Sequence, residues 1–264
     1  MAAGLRAQTK VDTELLLMID VSGSVTSKDY AQMMDAYGSA MTSSAVLDAI
    51  QGGGTGKIAA AVAFWSSANR QTVGVGWMEI SDLGSARVFA GRIREVARPF
   101  LGTTAIAAAI DFAVPLFGTE TGGRENGFHS HSQIIEIAGD GTDNSSPPRM
   151  LDRSVNVMAA RDNALRSGVD MINGLGLNTT PERVSEYYQR YVIGGEVAGT
   201  PSFVRAVDNY DAFEEMLAAN LVAGISAGSR ASTMEAVPEP SAALLVMPGV
   251  LLLLLRRRRT NTHP

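Results

Sequence analysis

The 264 residues are 45% hydrophobic, enough for one sizeable core with appendages, and carry a formal charge of −5. Four of the positive charges are Arg256 to Arg259, so the rest of the chain stands at −9, a balance that speaks against nucleic acid as a partner. With no cysteine there is neither a disulfide framework nor a thiolate metal site.

Residues 1–10 are small and polar and lack the apolar run of a secretory signal; the small residues ahead of Gln8 have the composition of a cleavage region, which would put the true start upstream of Met1. Glu14 to Ser24 reads ELLLMIDVSGS. Its first half is the short apolar run of a strand buried on both faces, and Asp20, Ser22 and Ser24 follow at alternate positions where that strand ends. Alternate residues of an extended chain point the same way, so a carboxylate and two hydroxyls converge there, an all-oxygen set suited to a hard divalent cation. The plainer alternative is a strand-to-helix turn that caps the next helix.

Thr26 and Asp29 form a capping-box pattern, and Tyr30, Met33, Met34, Tyr37 and Met41 recur at helical spacing as core filler. Gly52 to Lys57 (GGGTGK) has the glycines of a phosphate loop, but Ile58 stands where Ser or Thr is required, so it is read as a loop. Lys57 to Trp65 and Gln71 to Ile80 are strands joined by the turn residues Ser66 to Asn69, a hairpin in which Trp65 and Trp77 pack. Ser81 opens a helix with apolar Leu83, Val88, Phe89 and Ile93, which must stop before Pro99.

Leu101-Gly102-Thr103-Thr104 precedes Ile106, Ile110, Ala113, Val114 and Phe117 at helical spacing, so a threonine sits at a helix start, most simply as its N-cap, and Pro115 kinks or ends that helix. His129 and His131 lie in a polar loop with no third ligand in view and are read as surface residues. Ile134 to Ala138 is a buried strand running into Gly139-Asp140-Gly141, which puts a second carboxylate at a strand end. Glu136, on that strand, has no explanation at this level. Helices over Asn156 to Ser167, Pro181 to Tyr191 and Tyr210 to Ile225 alternate with strands over Val169 to Leu177 and Ser202 to Val207. The alternation predicts an α/β fold, a doubly wound and mostly parallel sheet with helices on both faces, whose ligands bind beyond the carboxyl ends of the strands.

From Ala227 the composition turns small and polar, then Pro238-Glu239-Pro240, an apolar run from Ala242 to Leu255, and the arginines. About 14 helical residues rise only about 21 Å, yet the run has no polar face, and the arginines would keep their end cytoplasmic with all that precedes the run outside.

The set Asp20, Ser22, Ser24, Thr104 and Asp140 resembles the metal-ion-dependent adhesion site of von Willebrand factor type A domains, over roughly residues 11–226. GKIAAAVAFW, AGDGTDN, Ile172 to Leu175, Tyr187-Tyr188 and Val192 to Gly195 are similar to a bacterial subfamily of unknown function. The resemblance implies one antiparallel edge strand and a divalent cation, Mg²⁺ first with Mn²⁺ or Ca²⁺ as alternatives, touched by the serines and in some states by the threonine, with the aspartates often acting through water. Thr104 rather than Thr103 takes that role because the family places its threonine two residues before the helix's first large apolar residue.

The tail resembles a PEP-CTERM sorting signal, with a linker over 227–240 and a hydrophobic and basic segment over 241–264. That resemblance implies export, recognition by an exosortase-type processing enzyme and a place at the membrane or cell surface. The function expected is therefore a binding or adhesion module outside the cell that engages a partner's carboxylate through the cation. A metal-assisted hydrolase and a structural protein whose metal only stiffens loops are the alternatives; against the former, no separate general base stands among the site residues.

Overall fold

The structure, a computed structural model, describes residues 7–147, 153–177, 181–209 and 212–235. It divides into residues 1–233, which carry the fold, and residues 234–264. A short strand, Thr9–Val11 (β1), leads into Thr13–Asp20 (β2), all eight of whose residues are buried, as a central strand's must be. Helices α1 (Ser27–Met41) and α2 (Ser44–Gln51) carry the chain to Ile58–Trp65 (β3), which pairs parallel to β2. Gln71–Ile80 (β4) then folds back antiparallel on β3 as the expected hairpin.

Helices α3 (Leu83–Glu95) and α4 (Ile106–Ala113), the latter passing at Pro115 into a 3₁₀ turn over Val114–Thr121, lead through Phe128–Ser130 (β5) to Gln133–Gly139 (β6). There follow α5 (Ser154–Arg166), β7 (Met171–Leu177), α6 (Pro181–Tyr187) with a π-helical turn over Tyr188–Val192, β8 (Gly194–Val197), β9 (Thr200–Pro201), β10 (Val204–Val207) and α7 (Phe213–Glu235).

The strand order β4-β3-β2-β6-β7-β8-β9, with β10 parallel to β7, is the mostly parallel doubly wound sheet. From β2 the chain winds outward to β3 and β4, then returns to lay β6 against the other side of β2. The reversal opens a crevice beyond the carboxyl ends of β2 and β6, where Asp20 and Asp140 emerge. One core packs α1, α2, α3 and α7 on one face of the sheet, and a second packs α4, α5 and the α6 region on the other.

Several elements differ from the sequence expectation. Ser44–Gln51 is a separate helix, capped by Ser43, where nothing was expected. Asp82, not Ser81, caps α3, and Leu83 and Val88 are exposed because the buried stripe is Ala86, Phe89, Ala90 and Ile93. Neither threonine caps α4: its N-cap is Ala105, with no side-chain bond of its own. Besides the hairpin strand β4, the antiparallel β8 and β9 lie at the other edge, pairs too short to carry a periodic signal. The last helix continues past Ile225 to Glu235, because its small residues dock: Ser229 Oγ donates to the Ala49 carbonyl and Ser232 Oγ accepts from the Gly54 N–H. Among the described residues no helix is long and apolar enough to cross a membrane; the Pro-Glu-Pro motif, the apolar run and the arginines lie outside the described residues.

Candidate metal centre

Asp20 ends β2 and is 1% exposed. Its Oδ1 accepts from the Ser22 N–H at 2.7 Å, which turns the chain so that Ser22 and Ser24 bring their hydroxyls to 3.1 Å of each other. Ser24 Oγ donates to Asp140 Oδ1 at 2.9 Å, so the β2 loop and the β6 loop meet through that bond. Arg98 holds the β2 loop from outside, one guanidinium nitrogen donating to the carbonyls of Val21 at 2.8 Å and Ser22 at 2.6 Å. The Gly23 N–H donates to the Gly102 carbonyl at 2.8 Å, which ties in the loop before α4.

Thr104, nearly buried, stands in that third loop. Its hydroxyl is 4.0 Å from where a side-chain carbon on Gly141 would stand, so the residue after Asp140 leaves the approach open. Its N–H donates to Asn144 Oδ1 at 3.0 Å, and its carbonyl accepts from the N–H groups of Asn144 and Ser145 at 2.9 and 3.1 Å. Asp143 does what no residue of α4 does: Oδ2 accepts from the Ala107 N–H at 3.1 Å, while Oδ1 accepts from the N–H groups of Ser145 and Ser146. A carboxylate at a helix N-terminus meets both its free N–H groups and its dipole. Of the five expected residues, hydrogen bonds thus join Asp20, Ser22, Ser24 and Asp140, while Thr104 stands in the neighbouring loop beside Gly141. Sequence reasoning passed over Asp143, Asn144 and Arg98, although the Asx and serine residues crowded into GDGTDNSS marked a turn-rich clasp.

Electrostatically the cluster is short of positive charge. Burial, and then the neighbouring Asp140 charge, push the Asp20 carboxyl up to about 7, and burial raises Asp140 in the same direction. Asp20 Oδ2 is buried with no hydrogen-bond partner among the described residues. Two carboxylates and three hydroxyls with an unpartnered acceptor oxygen are a donor set that fits a hard divalent cation, which would relieve both the repulsion and the orphaned atom. No group of three His, Asp or Glu able to hold a metal occurs among the described residues, so a cation here would lean on hydroxyls. His129, paired with Glu120 at 2.8 Å, and His131 are exposed beyond the opposite ends of the strands.

Glu136, which the sequence left unexplained, has a structural role. It accepts from Asn173 Nδ2 at 2.8 Å and Asn220 Nδ2 at 2.5 Å, a buried polar clasp between β6, β7 and α7.

Solved structures share the fold. Proximal thread matrix protein 1 from the mussel byssus, in a form with a zinc-occupied MIDAS motif, superposes with a TM-score of 0.54 at 14% identity, over 83% of this chain and 49% of its own. The pilus adhesin SpaC from Lactobacillus rhamnosus GG gives 0.55 at 13% identity over 82% and 31%, and a von Willebrand factor type A protein from Catenulispora acidiphila gives 0.52 at 15% over 82% and 43%. The fold is thus that of von Willebrand factor type A domains, and the chain spans half or less of the length of these proteins. No curated protein matches. The family model described as Protein of unknown function (DUF1194) matches residues 10–229, and the chain belongs to that family.

Proposed function

We propose that this chain is a metal-ion-dependent binding module, in which Asp20, Ser22, Ser24, Thr104 and Asp140 hold one divalent cation and the cation engages a carboxylate of a protein or other ligand. The observation that carries this is the meeting of two buried, mutually repelling carboxylates with the hydroxyls of Ser22 and Ser24 beyond the strand ends, one carboxylate oxygen being left without a partner among the described residues. The cation would supply positive charge at the mouth of the crevice, and a partner's carboxylate gains more there than a neutral oxygen. The zinc in the MIDAS motif of the mussel thread protein supports a divalent ion. The all-oxygen donor set favours Mg²⁺, with Mn²⁺ or Ca²⁺ next.

Binding rather than turnover is favoured because the aspartates of the set are taken up by the cation and the two histidines described stand at the other end of the sheet. Adhesin and thread-matrix relatives of the fold, together with the tail's resemblance to a sorting signal, support a place outside the cell. On this reading residues from about Pro238 are recognised and removed by an exosortase-type enzyme.

The test is calorimetry with Mg²⁺ and Mn²⁺ on the full chain and on Asp20→Ala, followed by a pull-down with and without chelator. Binding that Asp20→Ala abolishes, and a partner lost on chelation or on exchange of its Asp or Glu for the amide, are expected. Equal cation affinity of the two chains refutes the site, and metal-dependent consumption of the captured partner replaces binding with hydrolysis. Surface material from the native host should lack the Arg256 to Pro264 end by mass spectrometry.

A further inference from the structure

Tyr188 is fully buried, and its hydroxyl has no hydrogen-bond partner among the described residues. A buried hydroxyl left in that state carries an uncompensated desolvation cost. It begins the π-helical turn that follows α6, a geometry that projects a side chain off the helical register and recurs at functional positions. The sheet beneath it is cut away to receive it. A side-chain carbon on Gly174 of β7 would lie 2.7 Å from Tyr188 Cδ1, and one on Gly139 of β6 would lie 2.6 Å from the hydroxyl oxygen. Glycine inside a strand is less favourable than alanine, and here two of them on adjacent strands clear a path for one ring.

That path leads to the metal centre. The same point beside Gly139 is 3.2 Å from Asp20 Oδ2 and 3.2 Å from Trp65 Cζ2. An unpartnered donor and an unpartnered, acceptor-only oxygen thus flank one spot, closed on its third side by an indole edge. Trp65 Nε1 also lacks a partner, but the ring carbon, not that nitrogen, is what reaches the spot.

We propose that Tyr188 is a positioning residue for Asp20, its hydroxyl donating to Oδ2, directly or through one water, from the sheet face that α4, α5 and the α6 region cover. The Ser22 N–H already holds Oδ1. With Tyr188 on Oδ2 the carboxylate is fixed at both oxygens, and each oxygen keeps a second lone pair with which it can still face a cation. Partners of this kind set ligand orientation, and their loss costs about 10–100-fold in metal affinity. The proposal rests on the reading of this crevice as a cation site, and it has one arm that does not.

The experiment compares the full-length chain with Tyr188→Phe and with Gly139→Ala, whose added carbon would crowd the hydroxyl at 2.6 Å and Asp20 Oδ2 at 3.2 Å together. Mn²⁺ affinity by calorimetry should fall about 10–100-fold in both, with the far-ultraviolet spectrum unchanged. In the metal-free chain, labelled tyrosine should give a slowly exchanging Tyr188 hydroxyl proton by NMR, absent in Tyr188→Phe and shifted by Asp20→Asn. Equal affinity of Tyr188→Phe and the unaltered chain, or a hydroxyl signal indifferent to Asp20→Asn, overturns the proposal. If the unaltered chain binds no Mn²⁺ while the signal responds to Asp20→Asn, the anchor stands and the cation reading falls.

Discussion

Asp143 shows how a residue that touches nothing in the candidate centre can still decide its shape. Its two oxygens satisfy the N–H groups of Ala107, Ser145 and Ser146, and through the last two it sets the loop that clasps Thr104. Asp143→Ala should therefore lower stability by about 1–3 kcal/mol, the cost of buried donors left unmade, and weaken cation binding although every expected ligand is intact. Chemical denaturation and calorimetry on the same sample check both; unchanged affinity would detach the clasp from the site. Asp20, Ser22 and Ser24 were legible because their alternation is a local consequence of extended backbone. Asp143 was not, because its partner Ala107 lies 36 residues away and only the folded sheet brings the two loops together.

Between elements, the clearest device is the clasp of Glu136 with α7. Two amide donors draw its carboxyl down, yet burial overrides them and pushes it up to about 8, from an ordinary 4.5. The folded state then binds a proton that the unfolded chain has released, so stability from this group is full below about 4.5 and is lost as pH rises toward 8. Glu14 is pushed up to about 8 as well, chiefly by burial, and adds the same trend, so only a difference between two chains isolates Glu136. The stability of Glu136→Gln minus that of the unaltered chain should grow across this window, by at most about 1.4 kcal/mol per pH unit. A mismatched amide in the clasp gives a constant offset, and the slope is what denaturation at several pH values reads; a flat difference would mean the carboxyl is ionised throughout. The far end of α7, which periodicity missed, is held differently. Past Ile225 it docks through Ser229 and Ser232 against α2 and the loop after it, and small polar residues leave no apolar stripe in the sequence. The long runs of β2, β3 and β6 were readable for the converse reason, since a strand buried on both faces needs no alternation.

At the scale of the whole sheet, the five candidate ligands come from three connections that no covalent path keeps close: Asp20 to Ser24 after β2, Thr104 before α4 and Asp140 after β6. A cation bound by all three would stabilise the folded state, because the unfolded chain holds no such site. At about 100 times its dissociation constant the gain is about 2.7 kcal/mol, which for a chain of this size raises the melting temperature by about 5–10 °C. Scanning calorimetry with Mg²⁺ and with chelator should give that shift, rising with the logarithm of cation concentration, and Asp20→Ala should abolish it. The shift would also arise if the cation only stiffened the loops, so it is partner binding that separates the two readings. A stiffening cation has its coordination completed within the chain, and adding acetate as a small carboxylate changes nothing. A recognition site keeps an exchangeable position, and acetate should then raise the melting temperature further in Mg²⁺ but not in chelator, because only the loaded crevice attracts it. The chain's net negative charge opposes an anion at long range, but at physiological salt that field is screened beyond about 8 Å, while coordination acts at contact. A carboxylate effect that persists in chelator would place the anion elsewhere, and its absence in Mg²⁺ would leave stiffening as the cation's role.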